Sequence, residues 1–350
     1  MKKYTTLSAV LALLILMGPG CITFGTNTTG IDGGVFVSPD KGKTWAQSNA
    51  VPSEKGVGNI NGINIADLIL DPQDNNAIYL ASAGNGLFYT WDGAKSWKYV
   101  ESLGGGFVNS LAIDHHDKCT LFAALQNKIL KSVDCARTWN SYYYDTRSGE
   151  YVSALAVDPA NSKILYAGMS GGDLLKSYDA GISWSTIHRF KNNVVRIVFY
   201  PKSTNIVFVA LQNAGLWKSS NSGAKWADLK ENMKGFSASN NIYDFDMTAD
   251  GGTIYLTSQY GVIKSVDIGE TWEGVGLLTP PGSTHIYSFA VNPNNAKEIY
   301  YSTANTFYSS FDGGANWVTK KLPTSRAGTA LLVDPKNANL IYLGTRQFKK

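Results

Sequence analysis

Three charged residues, Asp67, Arg196 and Asp244, stand at equivalent positions of a unit that the sequence repeats along its length. Two carboxyl groups about 5 to 9.5 Å apart can hydrolyse a glycosidic bond, and an arginine can bind an anionic group. The simpler interpretation, which we favour, is an Arg196–Asp244 salt bridge between neighbouring units. The remaining members of this position set are small: Ser110, Ala154, Ser288 and Ala330.

Amide and aromatic residues near these positions form a second candidate group. Asn109, Tyr243 and Tyr287 come just before the apolar part of a strand and would form a rim suited to a sugar or a peptide. For any single tyrosine, packing of a loop over a sheet is the simpler alternative. The histidines show no spacing typical of a metal site, so we expect no metal and no cofactor. They are His115, His116, His188 and His285.

The element that must position these side chains is an octad of the form Ser-x-Asp-x-Gly-x-Thr-Trp. It occurs seven times, with tryptophans 52, 42, 45, 42, 46 and 45 residues apart. The aspartate can close a tight turn, the glycine takes a backbone conformation that a Cβ penalises, and the tryptophan packs between sheets. The octad therefore predicts a structural hairpin. Its acidic or amide position and its tryptophan are Asp40 and Trp45, Asp92 and Trp97, Asp134 and Trp139, Asp179 and Trp184, Asn221 and Trp226, Asp267 and Trp272, and Asp312 and Trp317.

Two further strands precede each later octad. They are joined by a turn that often begins Asp-Pro, and the second strand is centred on an aromatic residue 17 or 18 positions before the tryptophan. Four strands per repeat predict a propeller blade. Only two strands follow the last octad, and only one, from Gly33 to Ser38, precedes the first. We therefore predict an all-β, seven-bladed β-propeller of four-stranded antiparallel blades, with the last blade shared between the two termini.

With these octads, residues 33–345 resemble the Asp-box (BNR-repeat) propeller superfamily. Its members include sialidases, xyloglucanases, sortilins and photosystem II assembly and stability factors. The blade count and the single-domain length are most similar to the last group. That resemblance implies binding or assembly and supplies no catalytic residues. The octad itself indicates architecture far more than function.

The enzymatic members of this superfamily are a poorer match. Sialidases use an arginine trio and usually carry Phe-Arg-Ile-Pro near the first blade, whereas the first arginine here is Arg137, inside an octad. Xyloglucanases place their acidic pair between two propellers, and this chain contains one. We therefore expect a non-catalytic scaffold that binds a protein partner through its loop-bearing face. The alternative is a carbohydrate-binding or glycoside hydrolase propeller.

The N-terminus predicts export. Two lysines precede an apolar stretch from Leu7 to Met17, too short to span a bilayer and typical of a signal peptide. Cys21 follows Gly18-Pro19-Gly20, which suggests lipidation of this cysteine, with ordinary cleavage nearby as the alternative. We predict a signal peptide at 1–21, a linker at 22–32 and the propeller at 33–350. The protein is expected in the cell envelope, attached to the membrane only by this anchor, or secreted.

The charge pattern does not favour nucleic acid as a partner. The formal net charge is +4, and four of the lysines lie at the extreme ends of the chain. No basic stripe remains between them. The expected partner is therefore an unidentified protein or glycan.

Cys119 and Cys135 are predicted to form a disulfide. Cys119 opens the second strand of a blade and Cys135 lies in the octad that ends the third strand. If this hairpin folds about Asn127, residues whose numbers sum to 254 lie opposite each other. Cys119 and Cys135 are such a pair. Directly opposed antiparallel residues are close enough for a disulfide, and export favours oxidation.

Overall fold

Residues 32–348 are described by this computed structural model of the protein, and short β-strands make up nearly all of their regular secondary structure. Two single-turn 3₁₀ helices, Glu101–Leu103 and Glu231–Met233, are the exceptions. No helix within residues 32–348 is long and apolar enough to cross a bilayer. The predicted signal peptide, the lipidation site Cys21 and most of the predicted linker lie outside the described residues.

The thirty strands are numbered in chain order. The first ten are β1 Val35–Ser38, β2 Ala46–Gln47, β3 Ala50–Ser53, β4 Gly56–Asn59, β5 Ile65–Leu70, β6 Ile78–Gly84, β7 Leu87–Thr90, β8 Lys98–Tyr99, β9 Gly106–Ile113 and β10 Leu121–Leu125. The next ten are β11 Lys128–Ser132, β12 Asn140–Tyr144, β13 Val152–Asp158, β14 Asn161–Met169, β15 Asp173–Ser177, β16 Ser185–Arg189, β17 Val194–Phe199, β18 Val207–Leu211, β19 Gly215–Ser219 and β20 Ala227–Asp228. The last ten are β21 Ile242–Met247, β22 Ile254–Ser258, β23 Val262–Ser265, β24 Glu273–Gly274, β25 Ser288–Asn292, β26 Asn295–Ser302, β27 Thr306–Ser310, β28 Val318–Lys321, β29 Ala327–Val333 and β30 Ile341–Arg346.

These strands form seven four-stranded antiparallel units, numbered here as blades I to VII. Blades I to VI are β5–β8, β9–β12, β13–β16, β17–β20, β21–β24 and β25–β28, and blade VII is β29, β30, β1 and β2. A short extension of β6 also pairs with β9 and links blades I and II. The hairpin β3–β4 stands apart, in the connection between blades VII and I. The predicted all-β propeller is confirmed, and the seven units agree with the predicted blade count.

Blade VII is the predicted shared blade. Strand β1 pairs antiparallel with β30, with Val35 opposite Gly344 and Ser38 opposite Ile341. The backbone amide and the hydroxyl of Thr345 both donate to the carbonyl oxygen of Gly34, at 3.1 and 2.9 Å. Because each β-pairing satisfies backbone groups that an open edge would expose, this pairing closes the ring.

The apolar core lies between neighbouring blades. The second strand of each blade is buried on both faces, and in β18 and β22 every residue is buried. Tyr300, Phe307 and Leu343, for example, form one cluster between blades VI and VII. Full burial of a large apolar side chain contributes about 1.5–3 kcal/mol, so stacking the blades supplies most of the driving force for the fold.

Each octad folds into a turn of the same design. In blade III the Ser177 hydroxyl donates to Oδ1 of Asp179 and accepts from the Gly181 amide, while Asp179 accepts from the amide and the hydroxyl of Ser183. Gly181 has φ of +89°, and an added Cβ would lie 3.0 Å from the Phe122 ring. The octads are therefore structural turns, and they lie together at one end of the propeller, here called the octad face. The opposite end is called the loop face.

The octad tryptophans pack against the apolar clusters between neighbouring blades, as predicted. Trp97 is fully buried, and the other six are half-buried. The Trp45 ring of blade VII, for example, lies 5.3 Å from the Phe307 ring of blade VI. Several also bond within their own turn, as Trp184 does by donating from Nε1 to the Gly181 carbonyl.

Cys119 and Cys135 are joined by a disulfide. The strand register predicted for this hairpin was wrong by one residue, because Leu125 lies opposite Lys128 and the pairs sum to 253. The two cysteines still meet because Cys135 lies beyond the end of the ladder, in a left-handed conformation with φ of 57°. There its amide donates to the Cys119 carbonyl oxygen.

Acid should weaken the octad turns in a defined pH range. The hydrogen bond from the Ser183 hydroxyl, followed by that from the Ser183 amide, lowers the pKa of Asp179 to about 2, from 3.8. The stability this carboxylate supplies is therefore complete above pH 4 and lost as the pH falls towards 2. Asn221 accepts the equivalent amide bond in blade IV and does not titrate. We expect Asp179→Asn to lose less stability than the wild type between pH 4 and 2, measured by urea unfolding.

A second variant separates titration from hydrogen bonding. Asp179→Ala loses the acceptor itself and should be destabilised at every pH. Identical pH profiles for the wild type and Asp179→Asn would show that this carboxylate does not couple the turn to pH.

Candidate functional site

The first strand of every blade lines the channel of the propeller, and neighbouring first strands contact one another around most of the ring. A β-bulge interrupts most of them near the loop face. In β5, β17 and β21 the register shifts just before Asp67, Arg196 and Asp244 respectively. A bulge bends its strand and re-aims the neighbouring side chains. The position set predicted from the sequence is therefore real, and it lies where the strands are locally distorted.

The Arg196 guanidinium lies between carboxylates on two sides of the channel. Its Nη1 lies 3.8 Å from an oxygen of Asp244 in the adjacent blade V and 3.7 Å from an oxygen of Asp67 in blade I. Blades I and IV are three positions apart in the ring, so the guanidinium reaches across the channel. The favoured interpretation, a pair between neighbouring blades satisfied internally, was incomplete because it missed Asp67.

Both contacts are longer than a hydrogen bond, which has a donor–acceptor distance of 2.7–3.2 Å. Within residues 32–348 the guanidinium of Arg196 makes no hydrogen bond to a protein acceptor. The side chains of Arg196 and Asp67 are each 45% exposed. The arginine donors therefore remain able to bind a ligand.

Asp246 adds a third carboxyl group that the sequence analysis missed. It lies two residues after Asp244 on β21, and alternation along a strand places both side chains on the same face. Its oxygens accept hydrogen bonds from the amides of Met247 (2.8 Å) and Val291 (3.1 Å). The signal that could have found it is this i, i+2 spacing on a channel-lining strand.

The three acids and the arginine influence one another's ionisation. Burial, followed by the negative charge of Asp244, raises the pKa of Asp246 to about 6, and the two amide bonds oppose this only in part. Partial loss of solvent inside the channel also raises the pKa of Asp67, although Arg196 partly offsets it. Asp244, and then Asp67, raise the pKa of the Arg196 guanidinium. The cluster thus contains one permanent cation and a carboxyl group that is partly protonated near neutral pH.

A cavity of about 290 Å³, here called the channel pocket, contains this cluster near the loop face. All six binding candidates predicted from the sequence line it: Asp67, Asn109, Arg196, Tyr243, Asp244 and Tyr287. Asp67, Asn109 and Arg196 also line a second cavity of about 420 Å³ further along the channel. Asn109 is pinned by a hydrogen bond from its Nδ2 to the Val152 carbonyl oxygen.

Aromatic rings border the channel pocket. The ring of His285 lies 4.3 Å from that of Tyr243 and 4.5 Å from that of Tyr287, measured between centroids. Burial lowers the pKa of His285 and raises that of Tyr243, so both rings are uncharged at neutral pH. His285 therefore acts here as an aromatic spacer between the two tyrosines.

The side chains of this region determine whether it could bind a metal and which groups it offers a ligand. Across residues 32–348 there is no group of three or more histidine, cysteine, aspartate or glutamate side chains arranged to hold a metal ion. The site consists of carboxyl groups, a guanidinium, amides and aromatic rings.

Comparisons with known proteins agree on the fold. No family model matches the chain. Xyloglucanase Xgh74A of Acetivibrio thermocellus is 24% identical over 319 residues, which cover 71% of this chain and 37% of that protein. The chain thus spans little more than a third of this curated relative.

Solved structures show the same architecture. The GH74 xyloglucanase from Xanthomonas campestris has a TM-score of 0.67 and 17% identity, and the match covers 81% of this chain and 51% of that one. YCF48 from Cyanidioschyzon merolae has a TM-score of 0.62 and 12% identity, and the match covers 85% of this chain and 98% of that one. The chain is therefore a β-propeller similar to these proteins.

Two expectations from the sequence must be corrected. The chain was expected to be non-catalytic and to act as a protein-binding scaffold. The curated relatives that it matches include several xyloglucanases, and these contradict both expectations. The error arose because the similarity to xyloglucanases was set aside on the ground that this chain contains a single propeller.

The raised pKa of Asp246 should appear as a pH-dependent loss of stability. A folded-state pKa of about 6 above an unfolded value of 3.8 means that ionisation disfavours the folded state. Relative to the unfolded chain, this cost is absent below pH 3.8 and grows until about pH 6. Asparagine cannot ionise, so Asp246→Asn should gain about 1–3 kcal/mol on the wild type between pH 4 and 7.

Urea unfolding of both proteins at pH 4, 5, 6 and 7 measures this difference. The difference in free energy of unfolding between the two proteins also has a part that does not depend on pH, because the variant places a side-chain amide against the backbone amides of Val291 and Met247. The quantity to compare is therefore the change of this difference with pH. A difference in free energy of unfolding that stays constant from pH 4 to 7 would contradict the raised pKa of Asp246.

Proposed function

We propose that this chain is a glycoside hydrolase that cleaves a neutral glycan of the xyloglucan type in the channel pocket. One observation carries the proposal: carboxyl groups from opposite walls of the channel converge in an open pocket. The xyloglucanase relatives support the reaction class and suggest the first substrate to test. The aromatic border supports a sugar ligand, since flat rings can pack against the C–H faces of pyranoses.

The contacts to Arg196 limit how far apart the carboxyl groups of Asp67 and Asp244 can be. Asp67 and Asp244 each place an oxygen within 4 Å of the same nitrogen of Arg196, so these two oxygens are at most about 7.5 Å apart. Inverting glycosidases hold their carboxyl groups about 6.5–9.5 Å apart to admit a water molecule, and retaining ones about 5–5.5 Å apart. This upper bound includes both separations, and the guanidinium of Arg196 lies beside both carboxyl groups.

The ionisation of the cluster suggests separate roles for the acids. Asp246, with a pKa of about 6, holds a proton in mildly acidic solution and is the proposed general acid for the leaving oxygen. Asp67, on the opposite wall beside Arg196, is the proposed base that activates water. Arg196 favours the ionised form of Asp67, and its unpaired donors can orient sugar hydroxyls.

Two finer features belong to the same proposal. The seven octads are proposed to be Asp boxes, supported by their shared hydrogen-bond pattern. The protein is proposed to be exported, as its N-terminal sequence indicates, with an anchor at Cys21 if that residue is lipidated. Metabolic labelling with a fatty acid and comparison with Cys21→Ser would test the anchor.

Xyloglucan hydrolysis tests the enzyme assignment. The purified protein is incubated with xyloglucan, and new reducing ends are measured from pH 4 to 8. We expect kcat to fall as the pH rises above 6, because the general acid loses its proton. Asp246→Asn and Asp67→Asn should each lower kcat by about 10²–10⁴-fold.

Chemical rescue separates the two roles. An aryl glycoside with a good leaving group needs little acid assistance, so it should restore turnover to Asp246→Asn. Added azide should do the same for Asp67→Asn. The control is Asp250→Asn, at the octad-face end of blade V, whose side chain is 68% exposed, and it should retain wild-type activity. Absence of hydrolysis by the wild type would refute the function, and full activity in Asp246→Asn would refute the assigned site.

A further inference from the structure

Beside the channel pocket, residues Arg346–Phe348 lie across the loop face at the channel mouth. Arg346 ends strand β30 in blade VII, opposite Ala327. The Gln347 amide then donates to Oδ1 of Asn64, which precedes blade I, at 2.9 Å. The segment is thus held on two sides.

Aromatic contacts continue from this segment in both directions. The Phe348 ring lies 5.3 Å from that of Tyr287, which itself lines the channel pocket. The Arg346 guanidinium lies 5.2 Å from the Phe348 ring and 5.9 Å from the ring of Phe107 in blade II. The rings therefore form a continuous arc from Tyr243 to Phe107, and Arg346–Phe348 supplies its middle.

The outer part of this arc is open to solvent. Phe348 is 47% exposed and Phe107 39% exposed, beside a pocket whose lining is strongly polar. Exposed aromatic surface that adjoins a polar pocket is typical of a binding site. Arg346 has no ion-pair partner among residues 32–348, so its N–H groups can donate to a ligand.

We propose that Phe107, Arg346 and Phe348 form a second sugar-binding subsite that takes the part of a neutral oligosaccharide protruding from the channel pocket. This inference rests on the proposed function and names the ligand class of the same site. A β-linked glucose unit has equatorial hydroxyls and C–H groups on both faces of its ring, so it packs flat on a phenylalanine while its hydroxyls accept from an arginine.

The charge of the pocket selects neutral chains. Asp67, Asp244 and Asp246 face the single cation Arg196, so a uronate entering the pocket would meet an excess of carboxyl groups. A neutral glucan carries no such penalty. Because Tyr287 belongs to the pocket and also contacts Phe348, one oligosaccharide can occupy both subsites.

Binding measured against chain length tests the subsite. Calorimetric titration of the wild type with cellobiose and cellohexaose should give tighter binding of the longer sugar. Phe348→Ala and Phe107→Ala should each weaken cellohexaose binding by about tenfold and leave cellobiose binding unchanged. Oligogalacturonate of the same length should bind at least tenfold more weakly than cellohexaose.

The matched control is Phe311→Ala. Phe311 is 44% exposed on the octad face and should not affect either sugar, while thermal unfolding checks that every variant is folded. If the wild type binds cellohexaose and Phe348→Ala binds it equally well, the second subsite is refuted and the pocket stands. If the wild type binds neither sugar and hydrolyses no xyloglucan, the proposed function fails together with the subsite.

Discussion

Pairing of β1 with β30 is the interaction on which the channel depends. Without this pairing, the facing edges of β1 and β30 would both be open to water, and blade VII would lose half of its sheet. Closure also fixes which blades face each other. Asp67 and Arg196 are 129 positions apart in the sequence and meet only because blade I lies across the channel from blade IV. The chemistry of the site is therefore a consequence of ring closure.

The two ends of the propeller use aspartate in opposite ways. On the octad face, carboxylates accept several hydrogen bonds from their own turns, and the pKa values of Asp134 and Asp179 fall to about 2. At the loop-face end of the channel, burial and a neighbouring acid raise the pKa of Asp246 to about 6. The octad acids stabilise the scaffold over most of the pH range. Asp246 instead costs stability near neutral pH, which is typical of a residue retained for chemistry.

Much of the architecture could be predicted from the sequence because it depends on local, repeated chemistry. The octad carries its own turn, and its spacing determines the number of strands per blade. The equivalent positions of Asp67, Arg196 and Asp244 followed from the same repeat. The ladder register beside Cys135 was missed by one residue because the hairpin turns between Gln126 and Asn127 and not about Asn127 itself.

The remaining features depend on contacts that no repeat encodes. Asp246 lies two residues after the compared position set, at a position that is apolar in the other blades, so the comparison of that set did not include it. The reach of Arg196 to Asp67 depends on the width of the channel and on bulges that re-aim the strands. The position of Phe348 beside Tyr287 depends on how the chain leaves β30. These contacts are long-range, and the proposed hydrolase site depends on them.

A crystal structure of the Asp246→Asn variant with a xyloglucan oligosaccharide would test the central claim most directly. The account predicts a glycosidic oxygen in the channel pocket, between residue 246 and Asp67, with sugar hydroxyls on Arg196. An oligosaccharide bound on another surface while the channel pocket holds only solvent would contradict it.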